Sequence, residues 1–119
     1  MTSLITVLSS GKGTWGHVAQ LIAKQDWDKV FLITNEFGKE NFTVNGKTVE
    51  YIVINQNKFL SELVKDIQTQ LQGKIADTEV ALNFVSGTGK EHMAVLSALL
   101  KLGLGIRLVS ITPKGVEEI

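Results

Sequence analysis

Two short segments concentrate the residue types that bind anions. One is Ser9-Ser10-Gly11-Lys12-Gly13-Thr14-Trp15-Gly16, and the other is Ser86-Gly87-Thr88-Gly89-Lys90. Glycine lets backbone N–H groups approach an anion closely, while serine and threonine hydroxyls add donors. Each segment stands between an apolar run and a helix-type pattern. The free N–H groups and positive dipole end of a helix start would therefore face the same anion. A lysine in the first helical turn opposes that dipole unless an anion lies near, which makes Lys90 a candidate phosphate ligand. Lys12 sits in a similar loop. For either segment taken alone, the alternative is a solvated strand-to-helix turn.

The first segment matches G-x-G-x-x-G through Gly11, Gly13 and Gly16, with Glu36 about where a ribose-binding acid would sit. That pattern points to NAD or FAD, although Lys12 and Trp15 fit so tight a turn poorly. The second segment is not a Walker A motif: Phe84 stands in place of its first glycine, and Glu91 follows Lys90 instead of Ser or Thr. His17 and His92 fall near the starts of the two helices, with no ligand cluster beside them, so no metal and no cofactor is expected. Glu91 has the chemistry of a general base, yet an acid is also the ordinary structural choice at a helix N-terminus. Trp15 and Trp27 read as packing residues, Trp15 with the option of stacking on a base. The chain has no cysteine, which excludes disulfides and thiolate chemistry.

These residues need elements to position them, and 119 residues suit one domain spanning 1–119. Hydrophobic residues at 44% and charged residues at 20% allow a real core. Twelve basic residues balance twelve acidic ones. A coat for long nucleic acid carries a basic excess, so the anion expected here is short and locally held. Residues 1–10 lack a basic n-region and read as a strand, not a signal peptide, and no membrane span is present. A cytoplasmic protein is expected.

Strands are expected at Leu4–Leu8, Val30–Thr34, Val49–Ile54, Val80–Val85 and Ile106–Ile111, as short apolar runs covered on both faces. Val18, Leu21 and Ile22 mark a first helix. Asn55 or Asn57 is expected to cap a helix whose core stripe is Phe59, Leu63, Ile67 and Leu71, closed by Gly73. The helix from about Glu91 to Leu102 is apolar nearly all round and should be deeply packed. Asn45-Gly46 between two β-type triplets signals a hairpin. The fold class expected is α/β: a Rossmann-like three-layer sandwich with a mainly parallel five-stranded sheet of order 3-2-1-4-5. A small β excursion is expected between strands 2 and 3. In that order strands 1 and 4 are neighbours at the topological switch point, where α/β sheets bind ligands, and the two glycine-rich segments follow those strands.

The stretch Asn83-Phe84-Val85-Ser86-Gly87-Thr88-Gly89-Lys90-Glu91-His92-Met93, with a small-residue helix and the strand Ile106–Ile111 after it, resembles the CRISPR-associated Rossmann fold (CARF) domains. Their signature is a strand ending in Asn, a Gly-Gly-Thr-Lys-type loop and a Met three residues on. Here Thr88-Gly89 reverses the family's Gly-Thr. Val7–Gly11 and the helix to Ile22 resemble the family's first β–α unit. The resemblance implies sensing of a cyclic oligoadenylate from type III CRISPR antiviral defence, cyclic tetra-adenylate above all, across a homodimer cleft. With no effector domain in these residues, it points to the stand-alone members, among them ring nucleases. Such an enzyme needs no metal: a ribose 2′-OH attacks its own 3′ phosphodiester while the protein aligns the ring and stabilises phosphorane charge. Carried over, Lys90 is the charge stabiliser and Ser9 or Ser10 positions the phosphate or the 2′-OH. Gly11, Lys12, Gly13, Thr14, Ser86, Gly87, Thr88, Gly89 and His92 line the ring.

Three classes of function follow. The chain is a cyclic-oligoadenylate binder, with or without slow ring cleavage; or a dinucleotide-binding module acting with a partner; or a Rossmann-like interaction protein whose loops are only turns.

Overall fold

The computed structural model describes residues 2–44 and 46–119. Six strands, β1 (Ser3–Val7), β2 (Val30–Thr34), β3 (Glu50–Val53), β4 (Glu79–Asn83), β5 (Gly105–Thr112) and β6 (Gly115–Glu118), form one sheet. Its order is β3-β2-β1-β4-β5-β6, parallel throughout except for β6. Four helices accompany it: α1 (Trp15–Ala23), α2 (Glu36–Asn41), α3 (Leu60–Leu71) and α4 (Gly89–Lys101). Residues of β1 and β2 are buried along their whole length, as continuous apolar runs require when both faces are covered. Alternation divides them between two cores. Ile5, Val7, Phe31 and Ile33 pack beneath α3 and α4, while Leu4, Leu8, Val30 and Leu32 pack beneath α1. The chain thus has a Rossmann-like α/β fold, with the expected 3-2-1-4-5 order inside its sheet.

The sheet has six strands, not five. Pro113-Lys114 forms a tight turn in which Thr112 Oγ1 accepts from Lys114 N (3.1 Å), and Gly115, at φ +113°, begins the antiparallel β6. A four-residue edge strand with one aliphatic side chain, Val116, carries little periodic signal.

The expected β excursion after β2 is instead the helix α2. Asn35 Oδ1 caps it by accepting from Gly38 N (2.9 Å), with Glu36 in its first turn. Gly38 is buried inside this helix because it lies against β2: a Cβ there would fall 1.9 Å from Thr34 Oγ1. A glycine demanded by close approach reads, in sequence, as a turn. Residues 42–44 and 46–49 are not strands, and Asn45 of the expected hairpin lies outside the described residues.

Two helix expectations also change. Phe59 is the N-cap residue of α3, 78% exposed, and the buried stripe is Leu63, Val64, Ile67 and Leu71 with Leu60 packed beside it. Asn55 and Asn57 make a local turn of their own, Asn55 Oδ1 accepting from Asn57 N (3.0 Å), and cap nothing. In α4 only Ala94, Val95, Ala98 and Leu99 form the apolar core face; Met93, Leu96 and Leu100 are exposed on the opposite side. Among the described residues, no helix is long and apolar enough to cross a membrane.

Candidate functional site

Parallel pairing of β1 with β4 places the two glycine-rich loops side by side at the carboxyl edge of the sheet. They are joined directly. Ser9 N donates to Ser86 Oγ (2.8 Å), Ser86 Oγ donates to Ser9 Oγ (3.2 Å), and Ser9 Oγ donates to Gly11 O (2.7 Å). Trp15 Nε1 donates to Ser9 O (2.8 Å), so every polar group of Ser9 is engaged within the protein. Ser86 is 1% exposed, a buried clasp and not a lining residue. Ser10, in the bend that follows β1, is exposed.

The second loop is built for its shape. Asn83 closes β4 by donating through Nδ2 to Val109 O (2.8 Å) and accepting from Val85 N (3.1 Å). Gly87 has φ +101°, and a Cβ on it would fall 2.6 Å from Val7 Cγ1, so only glycine fits there. Thr88 and Glu91 then form a capping box: Glu91 Oε1 accepts from Thr88 N (2.8 Å) and Thr88 Oγ1 accepts from Glu91 N (3.3 Å). Glu91 is 5% exposed and tied to this cap, which removes it as a general base. The backbone N–H groups of Gly89 and Lys90 have no acceptor among the described residues, leaving two unpaired donors at an exposed helix start.

His92 buttresses the loop from behind. Its Nε2 lies 2.7 Å from Ser86 O; a carbonyl only accepts, so Nε2 carries hydrogen. The ring stacks on Phe84 at 4.4 Å and 14°. His92 therefore supports the site without lining it.

The first loop is looser. A single 3-10 turn, Lys12–Thr14, precedes α1. Gly11, Gly13 and Gly16 have ordinary φ values, and a Cβ on any of them would meet nothing within 4 Å. The steric reasons for a dinucleotide fingerprint are absent. Thr14 Oγ1 and His17 Nε2 are sheltered from solvent without partners among the described residues.

The lysines do not face one another across the loops. Lys90 Nζ donates to Gln56 O (3.0 Å), and Lys12 Nζ lies over the rings of Trp15 (5.5 Å) and Phe37 (5.8 Å). Gln56 and Phe37 both line an open cleft of about 530 Å³ at the carboxyl ends of β2 and β3. Its wall also holds Glu36 and the ion pair Lys58–Asp66 (2.9 Å). The hydrogen bond that Lys58 donates to Asp66, then the charge of Asp66, holds the Lys58 ammonium above its usual range. Phe37 and Gln56 escape sequence reasoning because α2, which presents Phe37, does; the available signal was the Asn35-Glu36 helix start. Among the described residues no group of three or more His, Asp or Glu stands close enough to hold a metal.

No family model and no curated protein sequence matches the chain. The likeness of Asn83–Met93 to the CARF signature rests on that segment's own residues.

Proposed function

We propose that the chain binds a short nucleotide anion, a cyclic oligoadenylate, at the carboxyl edge of β1 and β4. The observation that supports this is the Ser9–Ser86 clasp, which holds a lysine-bearing helix start and a bare glycine loop together at the switch point. Unpaired N–H groups of Gly89 and Lys90 supply donors, and Lys90 and Lys12 supply positive charge. Ser10 takes the ligand-facing role, since the Ser9 hydroxyl is engaged. A two-fold ring is met by two identical surfaces, so the reading carries a homodimer whose copies present these loops to one cleft.

The same donors suit cleavage of the ring without a metal. The 2′-oxygen forms a bond to phosphorus, the bond to the 5′-oxygen breaks, and the 2′-OH proton ends on the departing 5′-oxygen. The products are a 2′,3′-cyclic phosphate and a 5′-hydroxyl. Lys90 stabilises the charge that builds on the phosphorane. Glu91 is tied to its cap and His92 Nε2 to Ser86 O, which fits binding with slow cleavage better than rapid turnover.

Native mass spectrometry with cyclic tetra-adenylate, cyclic hexa-adenylate and NAD tests the reading. One ring per dimer is expected. Tighter binding of NAD would favour the dinucleotide reading, which Glu36 in the β2–β3 cleft supports. A monomer that binds none of the three would overturn both.

A further inference from the structure

We infer that the cleft at the ends of β2 and β3 is a nucleoside pocket, holding a base and ribose whose phosphate lies outside it near Lys12 and Lys90. The inference rests on the proposed reading that the two loops hold phosphate, and it assigns a place to the rest of the nucleotide.

Charge sorts the parts of the ligand. The cleft wall carries Glu36, Asp66 and Lys58; the last two are paired, which leaves one net negative charge. A phosphate is repelled from such a wall, while a neutral base and sugar are not. The cationic groups stand at its borders. Lys12 lies over Phe37, and Lys90 is bonded to the backbone of Gln56, both of which line the cleft. A molecule with a neutral flat part and an anionic end meets both demands at once.

The lining suits a base. The cleft's volume of about 530 Å³ lies within the usual range for small-molecule sites. Phe37 is 43% exposed, a large aromatic left open beside a cation, as a stacking platform requires. The side-chain amide of Gln56 has no partner among the described residues and can both donate to and accept from an adenine edge. Glu36, exposed at the first turn of α2, can accept from a ribose hydroxyl.

Two-dimensional ¹⁵N–¹H NMR of the whole chain, titrated with adenosine, with inorganic phosphate and with 5′-AMP, provides the test. Adenosine should shift the amides of Phe37 and 53–56, phosphate those of 11–14 and 87–90, and 5′-AMP both sets. Phe37→Ala should weaken 5′-AMP about tenfold while leaving the phosphate response intact, as stacking on one aromatic implies. Gln56→Ala, which keeps the backbone carbonyl that holds Lys90, should weaken 5′-AMP without touching the fold. If 5′-AMP shifts only the loops and both variants bind like wild type, the pocket is refuted and the loop site stands. If phosphate shifts no loop amide while adenosine shifts the cleft, the phosphate-binding reading fails and the pocket survives.

Discussion

Replacing Ser86 by alanine should separate the two loops, and the geometry sets the size of the effect. Ser86 Oγ accepts from Ser9 N at 2.8 Å and donates to Ser9 Oγ at 3.2 Å, from a side chain that is 1% exposed. Alanine removes both bonds and leaves the Ser9 N–H without an acceptor. An unsatisfied buried donor costs about 1–3 kcal/mol. Ser9 is only half-buried, so water can partly replace the bond, and the lower half, about 1–2 kcal/mol, applies. For a domain of this size that is a fall of roughly 4–8 °C in melting temperature. Ser9→Ala is the informative contrast. It deletes the hydroxyl but keeps the Ser9 N to Ser86 Oγ bond, so it should destabilise by no more than about 1 kcal/mol. Ser10→Ala should be silent in stability, because Ser10 is exposed. Thermal and urea denaturation of the three variants, each followed by a titration with cyclic tetra-adenylate, measure both consequences. Ser86→Ala should lose affinity more than Ser9→Ala. If Ser86→Ala melts like wild type and binds like it, the clasp is not what positions the loops.

The glycines of the two loops should part company. Gly87→Ala must place a Cβ 2.6 Å from Val7 Cγ1 at φ +101° and should destabilise by about 2–4 kcal/mol in urea denaturation, combining backbone strain with overpacking. Gly13→Ala, with open space and ordinary φ, should be neutral or stabilise by up to about 1 kcal/mol. Should the protein cleave its ligand, Lys90→Ala should slow single-turnover cleavage of radiolabelled cyclic tetra-adenylate roughly a hundred- to thousandfold with the fold intact, the usual effect of removing one charge stabiliser. Stability should fall as pH rises above about 10, because two groups have raised pKa values in the folded chain. Burial raises the Tyr51 phenol, and the bond to Asp66 raises Lys58. Each contribution is complete below the group's unfolded pKa and is lost as pH climbs through the folded one. Urea midpoints between pH 8 and 11 should show a smaller alkaline loss in Tyr51→Phe, whose parent hydroxyl donates to Phe42 O (2.9 Å).

Legibility followed the kind of force at work. The five parallel strands and the helices α1, α3 and α4 are written in apolar runs and helical periods, most strongly in β1, β2 and β4, whose burial forms the two cores; β3 and β5 are only partly buried. The adjacency of the two loops was legible too, since it follows from strand order alone. What escaped depended on contacts between distant segments. Position 38 is glycine because a Cβ in that helix would strike Thr34, and Phe59 is exposed because Leu60 takes its place in the stripe. The outer face of α4 reads as core by composition, yet a helix above one sheet buries only one side. The roles inside the site divided in the same way. Loop composition marked Ser9, Ser86 and His92 as ligand-facing, whereas the hydrogen bonds engage them within the protein to hold the loops; Thr88 caps α4 yet stays exposed.

That engagement sharpens what the site can offer a ligand. With the hydroxyls of Ser9 and Ser86 engaged, the groups left for an anion are backbone N–H donors, the Ser10 hydroxyl, the hydroxyl hydrogen of exposed Thr88 and two lysines. The glycines of the first loop bear on this. A glycine at an ordinary φ with open space around it lowers stability relative to alanine, by up to about 1 kcal/mol, and Gly11, Gly13 and Gly16 all stand in that position. Neither a turn nor a packing contact in the folded chain requires them. What they do provide is bare, exposed backbone beside Lys12, in a loop joined through Ser9 to the one that carries Lys90. Backbone without side chains admits an anion to close range, which a loop serving only as a connection does not need. The second loop shows the contrast, since the geometry of Gly87 explains that residue fully without any ligand. The glycines the fold can do without therefore point to a bound anion more strongly than the one it cannot.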